Sequence, residues 1–245
     1  MKVLAIIPAR GGSKEIPRKN LLNIAKFPLT HWTVQAAKDA FEVTEIIVTS
    51  EDEEILQTYS PYAHPRPSEL ASDTAQLEPV IADVLSNRDM QDEDIVVLLQ
   101  PTSPLRNGRH IDDALRFLWS TNSDSVVSVC ESHHLLWEGG SDPVPMYSPA
   151  ARPRRQDQNQ YEENGAIYAF TMAHWRRTNL RFGGRVALFT MSPEDSVQVD
   201  TLLDVDRVES LLQTTRRLSI RPPSHAAGMW YTDADSWSDV FKSKH

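Results

Sequence analysis

The chain has 245 residues, 40% of them hydrophobic and 24% charged, which suits an α/β protein with a sizeable core. Its net charge of −9 argues against general nucleic-acid binding, which requires a basic surface. The single cysteine, Cys130, excludes an intrachain disulfide and is expected to be a small buried side chain. Because we find neither a signal peptide nor an apolar stretch of membrane-spanning length, we expect a cytoplasmic protein without membrane association.

Short apolar runs alternate with amphipathic stretches, the pattern of βαβ units and a mainly parallel sheet. In chain order we predict a strand at 3–7, a helix at 28–40, a strand at 45–49, a helix at 52–58, a strand at 94–100, a helix at 109–119, strands at 125–129, 166–171 and 186–191, and a helix at 203–212. Residues 1–221 are predicted to form one domain. Within it, the weakly periodic segment 131–160 is either a lid or an arm that reaches a partner subunit. Residues 222–245 are predicted to be an appended tail.

A loop rich in glycine and cations follows the first predicted strand. Residues 8–14 read Pro-Ala-Arg-Gly-Gly-Ser-Lys, and Arg18, Lys19 and Asn20 follow closely. Open α/β sheets bind ligands at the carboxyl ends of strands, and adjacent glycines let backbone N–H groups approach phosphate oxygens. The spacing is neither the Walker A pattern nor the dinucleotide pattern. From physics alone, a triphosphate loop and a glycine turn with solvated cations are equally good interpretations.

The complete string IPARGGSKEIPRKN, residues 7–20, resembles the motif of the N-acylneuraminate cytidylyltransferases and their legionaminate and pseudaminate relatives. CMP-Kdo synthetases are more distant relatives. The resemblance extends over residues 1–212 and implies a three-layer, Rossmann-like nucleotidyltransferase fold with a mostly parallel sheet. It also implies a loop that holds the phosphates of CTP, formed by Arg10, Gly11, Gly12, Ser13, Lys14 and Asn20, with Arg10, Lys14 and Lys19 as the catalytic cations. Glu15 departs from the family, whose members usually have glycine there.

Two further segments resemble motifs of the same family. In the first, RPSELASD at 66–73, the resemblance implies that Arg66 contacts the nucleotide. In the second, LLQPTSPLR at 98–106, Gln100 offers a donor and an acceptor to a sugar hydroxyl or to the nucleotide. Taken alone, the first segment is better explained as a salt-bridged turn and the second as a proline-rich loop that ends a strand.

A basic cluster and a following strand resemble the RRQD and NGAIY motifs of the family. The resemblance implies that Arg154 or Arg155 binds the carboxylate of the acid substrate and that Tyr168 lines the sugar pocket. Salt bridges between subunits remain the alternative role for the arginines, because family members form dimer contacts here. We therefore expect a homodimer through residues 131–160.

The segment SVQVDT, residues 196–201, resembles the family motif D-x-D-T, whose two aspartates bind the Mg²⁺ that accompanies the triphosphate. Asp200 retains the second aspartate, whereas Gln198 replaces the first. A glutamine oxygen can ligate Mg²⁺ but contributes no charge. Glu51 likewise stands where the family usually has aspartate in a Ser-Thr-Asp string.

The resemblance implies a cytidylyltransferase that activates an acidic nonulosonic sugar, a 2-keto acid, with CTP and Mg²⁺ to give a CMP-sugar and pyrophosphate. One alternative is a nucleotidyltransferase of the same fold that uses another sugar or base, such as a CMP-Kdo synthetase. The other is a catalytically weak nucleotide-binding homologue, which Gln198 and Glu15 make conceivable.

Overall fold

A computed structural model describes residues 1–72, 74–158 and 160–219 of the chain. Its strands and helices are, in chain order, β1 (Val3–Pro8), β2 (Asn23–Ile24), β3 (Phe27–Pro28), α1 (Leu29–Asp39), β4 (Glu45–Ser50), α2 (Glu53–Thr58), β5 (Ala63–Pro65), α3 (Leu77–Leu85), β6 (Ile95–Leu98), α4 (Gly108–Ser120), β7 (Ser125–Ser132), β8 (Trp137–Glu138), β9 (Val144–Pro145), β10 (Gln160–Thr171), α5 (Met172–Thr178), β11 (Val186–Met191) and α6 (Leu202–Ser219).

A seven-stranded sheet with the order β11-β7-β10-β6-β1-β4-β5 forms the centre of the fold. β1 is parallel to β4 and to β6, β4 is parallel to β5, and β7 is parallel to β11. Only β10 is reversed, since it runs antiparallel to both of its neighbours, β6 and β7. The predicted mainly parallel sheet is thereby confirmed. Its strand order reverses beside β1, and open sheets of this kind bind ligands at such a reversal.

Helices cover both faces of the sheet. Alternate residues of β1 and β6 point to opposite faces, and both sets are buried, as expected for parallel strands that are covered on two sides. One face packs against α1 and α4 through residues such as Val34 and Leu115. The other packs against α3 and α5 through residues such as Ile81 and Trp175. This arrangement confirms the predicted three-layer α/β architecture.

A smaller core joins α6 to the loop after β1. Ile16, Ile24, Val199 and Val208 are buried in it, so hydrophobic contacts connect the glycine-rich loop with the segment that precedes α6. Two segments that are far apart in the sequence are thus held on one side of the molecule. The predicted tail, 222–245, lies outside the described residues.

Several elements differ from their sequence predictions. α3, α5 and β5 were not predicted, β10 begins at Gln160 and not at residue 166, and α6 continues to Ser219. The burial predicted for Cys130 is wrong. Its side chain is only half-buried, because β7 continues there beyond the core and pairs Cys130 with the exposed Glu162. None of the helices in the described ranges is long and apolar enough to cross a membrane.

Candidate active site

A cleft of about 230 Å³ lies at the carboxyl ends of β1 and β6. The loop after β1 contributes Arg10, Gly12, Ser13, Lys19 and Asn20 to its lining. Arg66 lines it from the segment after β5, and residues 100–102 line it from the loop after β6. The start of α3 and the residues just before it close the remaining side. Most residues of the predicted nucleotide site therefore meet in one cleft.

The glycine-rich loop is held by contacts from two directions. The buried side chain of Asn20 donates a hydrogen bond from Nδ2 to the carbonyl oxygen of Arg10, at 2.8 Å. The Gly11 N–H donates to Glu51 Oε1 at 2.7 Å. A Cβ at position 11 would lie 2.4 Å from Asp52 Oδ2, so only glycine fits there. Gly12, by contrast, is exposed and has open space around it.

The cations of the loop have different surroundings. Arg10 donates from Nη1 to the carbonyl oxygen of Ser72 at 3.2 Å, and Lys19 Nζ lies 3.0 Å from Asp200 Oδ1. Lys14 and Glu15 are exposed, and neither is among the residues lining the cleft. Arg18 forms ion pairs with Asp52 and Glu54. The structure thus brings Arg10 and Lys19 together in the cleft and places Lys14 at its outside.

Arg66 is the buried cation of the cleft. Only 3% of its side chain is exposed, and its Nη2 donates to Glu51 Oε2 at 3.0 Å. Its backbone N–H donates to the carbonyl oxygen of Ser50, which connects the segment after β5 to the end of β4. A buried guanidinium requires such partners because an unpaired buried charge is costly.

Two side-chain amides converge on the backbone of Gly165. This glycine has φ +66°, and a Cβ there would lie 2.5 Å from Gln100 Oε1 and 3.0 Å from Gln198 Oε1. Between Glu163 and Tyr168, β10 advances five residues while β7 advances only two, from 129 to 127, so the glycine lies in a β-bulge. The bulge aligns Gln100, predicted to contact the substrate, with Gln198, predicted to ligate the metal.

Two buried polar side chains that sequence reasoning had not assigned hold this bulge in place. Asn164 accepts hydrogen bonds at Oδ1 from the Ser128 hydroxyl at 2.6 Å and from the Ala166 N–H at 3.1 Å. Arg106 Nη1 donates to the carbonyl oxygens of Ala166 and Gln100, at 2.7 and 3.2 Å. Burial lowers the pKa of Arg106 to about 9, so its guanidinium remains charged at neutral pH. Arg106 lies in the motif LLQPTSPLR and Asn164 in the motif NGAIY. These motifs were the signal in the sequence that could have identified both residues.

The predicted metal ligands lie on either side of the buried Val199. Its N–H donates to the carbonyl oxygen of Thr102 at 2.8 Å, and its own carbonyl oxygen accepts from Lys19 Nζ at 3.0 Å. Asp200 and Gln198 together offer one carboxylate and one amide oxygen. Across the described ranges, no group of three or more His, Cys, Asp or Glu side chains is arranged to hold a metal. The pair fits Mg²⁺ only as an ion shared with phosphates, which is its usual mode of binding.

Tyr168 lies beside a second, wider cavity. Its hydroxyl donates to Glu163 Oε2 at 2.8 Å, and burial, reinforced by Glu163, raises the pKa of Tyr168. The Arg181 guanidinium lies 5.1 Å from the centre of the Tyr168 ring and forms an ion pair with Glu78. Arg181 and Phe182 line this cavity, which shares residues 75–77 with the cleft. Tyr168 is therefore close to the cleft without lining it.

Arg154 and Arg155 are exposed on the segment 131–160, and neither lines the cleft of its own chain. Arg154 Nε forms an ion pair with Asp157 at 2.7 Å. The structure of one chain therefore does not bring these two predicted substrate-binding residues to the cleft.

Fold and cleft together define a three-layer α/β protein with a cation-lined ligand site at the ends of its parallel strands, which is the arrangement of nucleotide-binding enzymes. The sequence model of the family described as cytidylyltransferase matches residues 4–211. The chain therefore belongs to the cytidylyltransferase family.

Curated relatives carry a more specific name. The chain is 36% identical over 212 residues to the N-acylneuraminate cytidylyltransferase of Streptococcus agalactiae serotype III, and the alignment covers 82% of the chain and 51% of the relative. It is 32% identical over 212 residues to N-acylneuraminate cytidylyltransferase A of Danio rerio, covering 82% and 49%. The chain thus spans about half the length of the curated relatives it matches.

Solved structures share the fold at low sequence identity. A CMP:2-keto-3-deoxy-manno-octonic acid synthetase complexed with CTP superposes with a TM-score of 0.65 and 19% identity, covering 88% of this chain and all of the other. The 4-diphosphocytidyl-2C-methyl-D-erythritol synthase of Anaerococcus prevotii has a TM-score of 0.62 and 16% identity, covering 86% and 96%. The fold is that of Rossmann-like nucleotidyltransferases, as the sequence predicted.

Proposed function

We propose that this chain is a cytidylyltransferase that transfers CMP from CTP to an acidic nonulosonic sugar of the N-acylneuraminate type and releases pyrophosphate. The observation that carries the proposal is the meeting of the glycine-rich loop, Arg66 and Gln100 in one cleft. The identity of 36% to an N-acylneuraminate cytidylyltransferase supports the choice of substrates. CTP and the sugar acid are then the small-molecule partners of a cytoplasmic enzyme that binds no nucleic acid.

The loop after β1 is the proposed phosphate site. Arg10, Lys14 and Lys19 supply positive charge, and Gly12 and Ser13 supply donors at the end of β1. Gly11, whose N–H donates to Glu51, lets the loop pack closely against Asp52. Phosphoryl-type transfer, which includes nucleotidyl transfer, depends on positioning and charge neutralisation more than on covalent catalysis by the protein. Asn20 holds the loop through the Arg10 carbonyl oxygen, and Arg66 lines the same cleft from the segment after β5 and is proposed to contact the nucleotide.

Mg²⁺ is the proposed cofactor, with Asp200 and Gln198 as its protein ligands. When bound, it would neutralise charge on phosphate oxygens. Lys19 donates to the carbonyl oxygen of Val199 and to Asp200, and it thereby holds the metal-ligand segment beside the phosphate loop.

The acceptor is proposed to lie between the cleft and the second cavity. Gln100 is at the cleft, and Tyr168 is next to Arg181 and Phe182, which line that cavity. The raised pKa of Tyr168 keeps its hydroxyl protonated, so it is a neutral group at the edge of an acid-binding site. Arg154 and Arg155 are proposed to bind the acceptor carboxylate from a partner subunit, because they are exposed and do not line the cleft of their own chain.

In the proposed reaction, the anomeric hydroxyl of the sugar attacks the α-phosphorus of CTP. A sugar oxygen–phosphorus bond forms, the bond from the α-phosphorus to the bridging oxygen breaks, and pyrophosphate leaves with that electron pair. The hydroxyl proton passes to water. The chain contributes the orientation of both substrates and stabilises the negative charge that develops on the phosphates.

Pyrophosphate release tests this proposal, measured with each of the four nucleoside triphosphates against a panel of sialic, legionaminic, pseudaminic and Kdo acids. We expect turnover with CTP and a nonulosonic acid. Replacing Arg10→Ala should lower kcat/KM on the order of a hundredfold, as expected for a group that stabilises developing charge. Lys38→Ala, which removes an exposed cation from α1, is the matched control and should have no effect.

Two other outcomes contradict the proposal and distinguish its alternatives. Turnover only with Kdo, or only with another nucleotide, would identify a nucleotidyltransferase of different specificity. The CMP-Kdo synthetase whose fold the chain shares makes this the second candidate. CTP binding without turnover of any acid would identify a nucleotide-binding homologue.

A further inference from the structure

We propose that Glu51 is a positioning residue that joins Arg66 to the glycine-rich loop and so shapes the nucleotide cleft before CTP binds. The proposal deepens the function proposed above and rests on it. Glu51 does not itself line the cleft.

The carboxylate of Glu51 bridges two sides of the cleft. Its Oε1 accepts the Gly11 N–H at 2.7 Å, and its Oε2 accepts Arg66 Nη2 at 3.0 Å. Gly11 belongs to the loop after β1, and Arg66 follows β5. Glu51 follows β4, the strand that lies between those two in the sheet. One side chain at the end of a middle strand therefore connects the loops of both neighbouring strands.

Burial makes this contact important for Arg66. Its side chain is 3% exposed and that of Glu51 is 19% exposed, so the ion pair is largely shielded from water. The Nε of Arg66 is also buried, and it has no hydrogen-bond partner among the described residues. Removing the charge of Glu51 would leave a buried guanidinium without its carboxylate, and such losses cost more than the loss of an exposed ion pair.

The neighbouring acid has a different task. Asp52 caps α2, because its Oδ1 accepts the Ile55 N–H at 3.1 Å, and it forms an ion pair with Arg18. It also packs against Gly11, where a Cβ would collide with its carboxylate. Asp52 limits the space beside Gly11, whereas Glu51 fixes the direction in which the Gly11 N–H points.

A carboxylate beside a phosphate site has two opposite possible effects. It can orient the cationic groups that bind the nucleotide, or it can compete with the phosphates for the same donors. The geometry indicates that Glu51 orients Arg66, because Glu51 accepts a hydrogen bond from Nη2 of Arg66 while Arg66 still lines the cleft. Gly12 and Ser13, and not Gly11, are the lining residues in that part of the loop.

The test compares Glu51→Gln, Glu51→Asp and wild type by calorimetric CTP binding and by steady-state kinetics. Glutamine has nearly the same shape but must present its NH₂ to one of two donors. We expect Glu51→Gln to raise the Kd and KM for CTP on the order of tenfold, as for a lost charged hydrogen bond. The kcat at saturating CTP should change little. Aspartate keeps the charge and should recover part of the affinity. Glu53→Gln, the same change on an exposed residue two positions later, is the control.

Two further measurements show whether Glu51 acts through the groups it contacts. With Arg66→Lys as the second change, the CTP affinities of a double-mutant cycle should be strongly non-additive. In wild type, the Gly11 amide resonance should be shifted downfield by its carboxylate acceptor and should remain so with CTP bound. This measurement needs no variant, so it holds even if Glu51→Gln does not fold.

Unchanged or tighter CTP binding by Glu51→Gln, additive effects in the cycle, or loss of the Gly11 downfield shift on CTP binding would each overturn the inference. A chain that binds CTP but releases no pyrophosphate refutes only the proposed function. A chain that does not bind CTP refutes both.

Discussion

The ion pair of Lys19 and Asp200 leaves the proposed metal position with little negative charge. Lys19 Nζ lies 3.0 Å from Asp200 Oδ1, and the side chain of Lys19 is only 13% exposed. The second proposed ligand, Gln198, is neutral. A metal ion would therefore compete with an ammonium group for the one carboxylate of the site, and the phosphates of CTP would have to supply the remaining charge.

Replacing Gln198→Asp should lower the Mg²⁺ concentration for half-maximal rate about tenfold, because the number of charged ligands strongly tunes affinity for hard cations. The measurement is a magnesium titration of pyrophosphate release at saturating CTP and sugar. Gln198→Asn shortens the side chain equally without adding charge and is the control. If the aspartate and asparagine variants have the same magnesium profile, Gln198 does not contact the metal.

The bulge of β10 brings together two side-chain amides, one proposed to contact the substrate and the other proposed to bind the metal. Gln100 comes from the end of β6 and Gln198 from the segment before α6, and both approach Gly165. Asn164 and Arg106 hold the bulge through three buried hydrogen bonds, and Arg106 also donates to the carbonyl oxygen of Gln100. A regular strand would direct a side chain into this space, so the glycine conformation makes the site possible.

Gly165→Ala should reduce kcat/KM on the order of a hundredfold, because displacing positioning groups by about 1 Å is enough for such losses. The new Cβ would lie 2.5 Å from Gln100 Oε1 and would force that amide to move. The left-handed backbone should also cost roughly 1–2 kcal/mol of stability. Steady-state kinetics and chemical denaturation measure the two effects separately.

Gly184→Ala is the matched control for this prediction. Gly184 has φ +64°, and a Cβ there would lie 2.5 Å from Asp124 Oδ2, on a segment that does not line the cleft. We expect a similar loss of stability with nearly unchanged activity. If both alanine variants lose activity equally, the loss comes from destabilisation and not from the position of Gln100.

The elements that the sequence predicted well are those with a local pattern. β1 is a continuous apolar run up to Pro8, β11 is apolar apart from Thr190, and the predicted bounds of β11 are those observed. α3 was missed because it has nine residues and its first residue follows Gln76 without a side-chain cap. Four of the first five residues of β10 are polar and the other is Tyr161; all except Asn164 are exposed. No apolar alternation therefore marked the start of this strand.

Of the candidate site, the sequence predicted the loops but not the contacts between them. Its loops were identified because their motifs are contiguous. The structure places Arg10, Arg66 and Gln100 in one cleft, and their roles in binding stay predictions. The bridge through Glu51 could not be read from the sequence, since it joins residues 40 and 15 positions away. Such contacts depend on strand order, which no local pattern specifies.

The molecule carries a conspicuous apolar surface on the segment 131–160. β8 and β9 form a hairpin in which Trp137 is 57% exposed, Val144 56% and Met146 65%. Trp137 packs edge-on against Tyr147, so two aromatic rings lie together on this surface. Exposed aromatic and methionine side chains next to one another are typical of protein interfaces. This supports the proposed homodimer, in which Arg154 and Arg155 would reach the cleft of the partner.

We expect the chain to sediment as a dimer. Trp137→Lys combined with Met146→Lys should raise the dimer Kd on the order of a thousandfold, since buried anchors at interfaces contribute roughly 2 kcal/mol each. Phe41→Lys, which changes an isolated side chain that is 85% exposed, is the control and should leave the dimer intact. Analytical ultracentrifugation measures the association. If the arginines act across the dimer, kcat/KM should fall with the fraction of dimer in the hairpin variant. A wild-type chain that is fully active as a monomer would refute both the dimer and the role of the arginines.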